Sequence, residues 1–547
     1  MRRLAVENTR FKLDEIRFPI VSELLRRYWS KASPPVNAYG QARKNGVCVL
    51  LCALMIGTCS LTVDAQTGNT NRSRYSFSNL GETSAGTSSS GGPLNIGYGE
   101  IKPDAGITNP SARALLGFKS GCCATTLFTI PATLPVSSGR IYAEVKDSAT
   151  TVIAIANTST APIAISFYFT DAATSMDFGQ GSFTLAARNQ ITAFLDQVSF
   201  LPPNFTGSLT FSASAPVGVA ALRRFINERG DSLFTGQAVA PINQAVNGPL
   251  VIAQFVDGGG WRTSLDLLNS TDQSITGIVK FYNEGGSSAA GAPIAMTVNG
   301  QSGKSFPYTI PAHSSARMSS AGLGAATEMG SLIITPAEGS ASPSAQALFS
   351  FNKDGITITE APVAAEPAGT AFRMFVHVNR TVGEPSFAAS ALGITNMDTS
   401  PASVDIEVFR QNGSSTGLQA SIMIPALGHI TKLITDIFPS LRGSAFGPFL
   451  GVARITSASS PIAVAGMLAG YNERFDFLLT ANPASNEAGV SSTGGLIFPI
   501  VAYQGAERGG FSVEYDLFSG LPGQTGSGLI SFFKQNGQPL NVFSVGP

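Results

Sequence analysis

Charge is scarce in this chain of 547 residues: only 13% are Asp, Glu, Lys or Arg, and 35 basic side chains match 35 acidic ones. With 43% hydrophobic residues, that scarcity excludes a solvated disordered polypeptide and provides for buried cores. Tryptophan and histidine are nearly missing, at two and three residues, so imidazole catalysis and metal ligation have little to draw on. Long apolar runs are missing too. The run from Val47 to Gly57 is about half of the ~20 residues that a membrane-spanning helix needs, so no permanent membrane span is expected. What is abundant is turn chemistry. The 58 Gly and 32 Pro cut the apolar segments into short pieces, which favours strands over long helices and an all-β fold.

The same apolar run reads as a signal peptide over residues 1–65. Arg43 and Lys44 precede it, and Val63-Asp64-Ala65 offers a small-residue cleavage site before Gln66. Cleavage is expected after Ala65, giving a secreted or cell-surface protein. A lipoprotein anchor at Cys59 is disfavoured because Ile56-Gly57-Thr58 is a poor lipobox. The Arg-rich stretch 1–46 is long for a leader and is read as an upstream start codon rather than a cytoplasmic extension. Residues 1–65 hold ten of the basic and five of the acidic side chains, which leaves 25 against 30 in the exported part. Without a basic cluster after residue 66, a nucleic-acid partner is not expected. Of five cysteines, only the adjacent Cys122 and Cys123 survive cleavage. They cannot build a disulfide framework and read as free or strained thiols in a turn ahead of a redox pair.

Self-similarity organises the exported part. Gly97 to Phe118 aligns without gaps on Gly330 to Phe351, with close to half the positions identical, and the same offset carries Arg140–Val145 onto Arg373–Val378. Asn227-Glu228-Arg229-Gly230-Asp231 returns as Asn472-Glu473-Arg474-Phe475-Asp476, and Gly260-Trp261 returns as Gly510-Phe511. The repeat length is 233 to 250 residues. It divides into two kinds of module: A at 138–246 and 369–488, and B at 249–366. A Gly/Ser-rich linker (66–93) precedes a partial B module (its tail, 94–136), and a second partial B module (its head, 493–547) follows the last A. The two fragments either close within one chain, join chains head to tail, or mark truncation of a longer array; truncation is the reading preferred here.

Within a module, Thr151–Asn157 ends in Asn, passes a polar turn at Thr158–Pro162, and continues as the alternating Ile165–Phe169. Leu265–Asn269 followed by Ile278–Tyr282 repeats the plan. Strand, polar turn and alternating strand predict hairpins. Roughly six to eight such strands in about 110 residues suit a two-sheet sandwich. This pattern resembles the tandem immunoglobulin-like modules of bacterial secreted and surface proteins over most of residues 94–547. The resemblance implies an all-β fold of immunoglobulin-like β-sandwich modules in an alternating A/B array, and brings no catalytic or ligand motif.

The chemistry-bearing residues are few. His313, His377 and His429 have no metal-ligand partners at helical or hairpin spacing. Glu144 stands at the position of His377 and Gln190 at that of His429, exchanges that a structural position tolerates. Gly413-Ser414-Ser415-Thr416-Gly417 fits the nucleophile-elbow string. It lies between the alternating segments Val404–Phe409 and Gln419–Ile424, so a hairpin loop is expected, not a strand-to-helix elbow. The paired Asn-Glu-Arg-x-Asp motif reads as a turn in which Asn bonds backbone and Arg pairs with a carboxylate between modules, ahead of a calcium-site reading. Trp261, after two glycines, reads as a core anchor ahead of a sugar platform. No catalytic, cofactor-binding or metal residue is assigned, and no cofactor. The expected role is a non-enzymatic structural spacer or adhesion module at the cell surface or in the extracellular matrix, with self, surface or matrix proteins or glycans as partners. A carbohydrate- or protein-binding module set and a secreted hydrolase using Ser415 are the alternatives.

Overall fold

The computed structural model describes residues 71–541 apart from 87–93, 121–123, 243–246, 287–288, 380–387, 444–445, 459, 490–491 and 504–509. The leader with Cys59, and the Cys122–Cys123 pair, lie outside the described residues. Of the described residues 64% are in strands and 3% in helix, which agrees with the all-β expectation. None of their helices is long and apolar enough to cross a membrane.

In chain order the strands begin with β1 (Arg72–Phe77), β2 (Glu82–Gly86), β3 (Asn95–Pro103), β4 (Ser111–Ser120) and β5 (Ala124–Pro131). Next come β6 (Val136–Glu144), β7 (Ala149–Ala156), β8 (Ile163–Asp171), β9 (Asp177–Leu185), β10 (Gln190–Phe194), β11 (Thr206–Ile226), β12 (Ser232–Gln237) and β13 (Val239–Ala240), here called unit II. Unit III holds β14 (Leu250–Asp257), β15 (Trp261–Leu268), β16 (Ile275–Asn283), β17 (Met296–Val298), β18 (Gln301–Gly303), β19 (Phe306–Ile310), β20 (Ser315–Ser319), β21 (Glu328–Pro336), β22 (Ser344–Lys353) and β23 (Ile356–Ala364). Unit IV holds β24 (Ala371–Asn379), β25 (Ala388–Asn396), β26 (Ala402–Arg410), β27 (Ser415–Ile424), β28 (His429–Leu433), β29 (Phe449–Ser457), β30 (Ile462–Tyr471), β31 (Phe477–Ala481) and β32 (Ser485–Asn486). The last strands are β33 (Leu496–Tyr503), β34 (Gly510–Phe518) and β35 (Gly526–Lys534).

Unit III stacks a sheet of order β14-β21-β16-β19 on one of order β20-β15-β22-β23. The same two orders arise from opposite ends of the chain as β33-β3-β35-β1 and β2-β34-β4-β5. Residues 72–131 and 496–534 therefore make one unit, called I. The two segments are interleaved: β35 lies between β1 and β3, and β34 between β2 and β4. The fragments at the two ends of the array close within the chain. Two of the strands required, β1 and β2, fall in the stretch read as linker. That reading is corrected: Tyr75 and Phe77 alternate inward among Ser and Arg, a period of two that the polar composition conceals.

Units II and IV share a second plan. In unit II the 21-residue β11 serves two layers, pairing with β6 and β8 through its first half and with β7 and β12 through its second. The register shifts between Ser212 and Val217, where Pro216 has no N–H to give to a ladder. In unit IV the equivalent strand is broken by Pro461 into β29 and β30.

The predicted hairpins are a second correction. β7 and β8 are each strands, but β7 pairs with β10 and β11 while β8 pairs with β9 and β11 in the other layer. β15 and β16 are likewise in opposite sheets. The turn after Asn157 is an arch across the sandwich, and the Asn side chain fills its inside. Nδ2 of Asn157 donates to the carbonyls of Ala161, Leu185 and Ala186, and Oδ1 accepts from Ser159 N. Asn269 and Asn396 repeat this pattern. By contrast β26 and β27, the second of which opens at Ser415, do pair as expected.

The core of unit III continues into unit IV through Ala463, Ala465 and Met467, and that of unit I into unit II through Val152, Ala154 and Leu222. The other two junctions, II to III and IV to I, carry more polar contacts, with a small apolar cluster of Phe375, Val452 and Phe518 at the second. Arg140 Nη1 donates to Asn269 O at 2.7 Å, and its repeat Arg373 donates to Ser519 O at 3.2 Å. The edge strands β5, β12, β23 and β31 of the four units pack against one another, so a ring of units closes around a centre and covers edges that would otherwise be open to pairing.

Candidate functional site

The polar cluster singled out by the sequence lies at this ring centre. Each copy is a tight turn after the long inner strand of its unit, and Asn Oδ1 closes it by accepting two backbone N–H groups: Arg229 and Asp231 at Asn227, Arg474 and Asp476 at Asn472. The fourth position needs a left-handed backbone, φ +82° at Gly230 and +59° at Phe475. Glycine takes that at no steric cost; phenylalanine does not.

The turns then reach outward in matching pairs. Asn227 Nδ2 donates to Thr357 O of unit III while the Glu228 carboxylate accepts from Thr357 N and Oγ1. Asn472 and Glu473 do the same to Thr125 of unit I. Burial would raise both glutamates, but the backbone and hydroxyl donors hold them below the ordinary carboxylate value. Across the centre, Arg229 Nη2 meets Asp476 Oδ2 at 2.7 Å and Arg474 Nη2 meets Asp231 Oδ2 at 2.6 Å. Each Arg also contacts the Asp of its own turn, at 3.3 and 3.1 Å. The four side chains form a closed ring of alternating charge. Asp476 is held below its usual range: burial opposes this, and Arg229 followed by Arg474 overcomes it. The arrangement matches the structural reading, Asn to backbone and Arg to carboxylate between modules. With both carboxylates bonded to guanidinium groups, its chemistry is that of a latch.

A second charged group is buried between units II and III. Glu144 accepts from Arg223 Nε at 2.6 Å and Arg317 Nη1 at 2.9 Å; Arg223 also pairs with Glu360, and Arg317 with Asp266. Burial pushes the Glu144 carboxyl up, yet Arg317 and Arg223 bring it below its ordinary value. At the matching junction of units IV and I, Arg113 pairs with Asp516 at 2.8 Å, donates to Asn482, and lies over the Phe375 ring.

All three histidines sit at junctions between units. His429 is 1% exposed; Nε2 contacts Gln254 of unit III and Nδ1 contacts Thr395, and burial lowers its pKa to about 3. Its repeat, Gln190, reaches from unit II to Pro499 O of unit I. His377 is pushed down to about 4, first by burial and also by Arg113, against Asp516. His313 lies between Asp177 of unit II at 3.2 Å and Asp272 at 3.0 Å. The exchange of Gln190 for His429 is thus one junction contact for another, whereas Glu144 binds two arginines where His377 Nδ1 has no hydrogen-bond partner. Sequence reasoning found the motif turns and missed the buried charges, whose signal was only that Arg223, Arg317 and Glu360 are ionic residues in otherwise apolar alternating strands.

Ser415 opens β27, a sheet-edge strand, and its Oγ accepts from Gly417 N, a turn contact. Trp261 stacks on Phe351 at 4.7 Å and meets Phe477 of unit IV edge-on; its repeat Phe511 lies against Phe118 at the same centroid distance. Both are packing anchors. Among the described residues no group of three or more His, Cys, Asp or Glu is arranged to hold a metal ion.

No family model matches this chain, and no curated protein does. Among solved structures, similarity is found to the T13 particle of IBDV, at 9% identity over 79% of this chain and 78% of that one with a TM-score of 0.09. A Streptomyces avermitilis α-L-rhamnosidase gives 10% identity over 75% of this chain and 41% of that one, with a TM-score of 0.12.

Proposed function

We propose that the exported chain is a non-enzymatic adhesion module acting at the cell surface or in the extracellular matrix, built from immunoglobulin-like sandwiches in an alternating A/B array. The observation that carries this reading is the use of the chemistry-bearing side chains. His313, His429 and both Asn-Glu-Arg-x-Asp turns are engaged in contacts between units, so recognition falls to loops held on a rigid ring. The interleaving of the first and last strands in unit I favours adhesion over the spacer role, because a spacer keeps its ends apart. Glycans or surface and matrix proteins are the partner classes. Residues 66–547 applied to a glycan array and to matrix-coated surfaces are expected to be retained on at least one. Failure on both, with labelling by a serine-reactive probe that Ser415→Ala abolishes, would replace this reading with the hydrolase.

A further inference from the structure

Unit I repeats the two four-stranded sheets of unit III, but its eight sheet strands come from two segments joined by pairing and packing. The C-terminal segment is inserted in the middle of both sheets, β35 between β1 and β3, β34 between β2 and β4, with β33 on the free side of β3. Leu116 from the first segment and Phe498, Tyr515 and Phe532 from the second share one core. Without the second segment β1, β2 and β3 have no neighbour in either sheet, and β4, still paired with β5, keeps one bare edge. Such edges are specific templates for the strands that complete them.

We propose that the segment Leu496–Leu540 is exchangeable between copies, so that this chain associates with a second copy of itself by reciprocal completion of unit I. The reason is that the pairing contacts are identical whether the segment arrives from the same chain or another. Only effective concentration separates the two outcomes. A short tether gives an intramolecular segment a local concentration on the order of millimolar, which makes the closed monomer the dilute state and the exchanged dimer the product of folding at high concentration. Reciprocal exchange leaves no strand without a partner, whereas one-way exchange leaves the same bare edges at each end of a growing filament.

The test pairs two full-length exported chains. Tyr515→Asp spoils the inserted segment and Leu116→Asp spoils its acceptor, each at a position 1% exposed. Each variant alone is expected to be monomeric with unit I disrupted. Refolded together under different tags, they are expected to give a one-to-one heteromer through the intact acceptor of the first and the intact segment of the second. As an independent measurement, wild-type chain refolded at increasing concentration is expected to give a rising dimer fraction that persists on dilution. A mixture that elutes only as separate chains, with wild type monomeric at every refolding concentration, overturns the proposal. Should the variants aggregate, the wild-type series decides alone.

Discussion

The carboxyl of Glu82 is 4% exposed, and burial, then the charge of Asp516, raises its pKa from 4.5 to about 8. A carboxyl whose folded pKa lies above its unfolded one stabilises the fold fully below the unfolded value and loses that contribution as pH rises through the folded value. Stability is therefore expected to fall between 4.5 and about 8, and Glu82→Gln is expected to remove that part of the decline. Thermal melts at about pH 5 and about pH 9 should show little difference between the two chains at the lower pH and a higher Tm for the variant at the upper. Phe475 poses the opposite question. It is half exposed and holds a left-handed backbone where its repeat has Gly230. A bulky residue there costs roughly 1–2 kcal/mol, so Phe475→Gly is expected to stabilise by about 1 kcal/mol, read by urea denaturation. The motif itself was legible in the sequence because it repeats. Its strain was not, because a φ angle has no sequence signal when the residue is not glycine.

Among the elements, the arch after each buried Asn does what a hairpin turn would not: it moves the chain from one sheet to the other. The sequence pattern of strand, Asn, polar turn and strand was correct in every part and wrong in pairing, because strand periodicity reports which faces are buried and not which strand lies alongside. The informative residue was Asn157, whose Nδ2 spans three carbonyls. Asn157→Ala leaves those buried acceptors short of a donor and is expected to cost about 1–3 kcal/mol, measured as a shift in urea midpoint with unchanged slope. Glycine placement was also readable only in hindsight. Gly97 and Gly330 begin the repeated segment because a Cβ would lie 1.8 and 1.9 Å from the carbonyl oxygens of Phe533 and Tyr282, a crowding set by neighbouring strands. β1 escaped notice because serine and arginine fill its outward positions, and β2 because its five residues, Glu, Thr, Ser, Ala and Gly, include no large apolar side chain.

For the whole molecule, the decisive fact is closure. Offsets of 233 to 250 residues revealed that a B module was divided, but no local signal could say whether its parts meet. The pairing of β35 with β1 and β3 and of β34 with β2 and β4 answers this, and the ring of Arg229, Asp476, Arg474 and Asp231 joins units II and IV across residues 247 and 243 positions apart. Partly exposed pairs are individually weak, about 0.2–1 kcal/mol, yet these four share every partner. Combining Arg229→Ala with Asp476→Ala in a double-mutant cycle is expected to give a coupling of ~0.5–3 kcal/mol, diminished by salt; a coupling of zero would mean that the latch contributes nothing.

The closure of unit I can be tested across its outermost pair. Ser76 and Ser527 face each other on β1 and β35, within the reach of a disulfide between directly opposed strand residues. In a chain with Cys122 and Cys123 replaced by serine, Ser76→Cys with Ser527→Cys oxidised at high dilution is predicted to form an intramolecular disulfide in nearly every monomer, with no loss of stability. Free thiols persisting in the folded monomer would contradict the account.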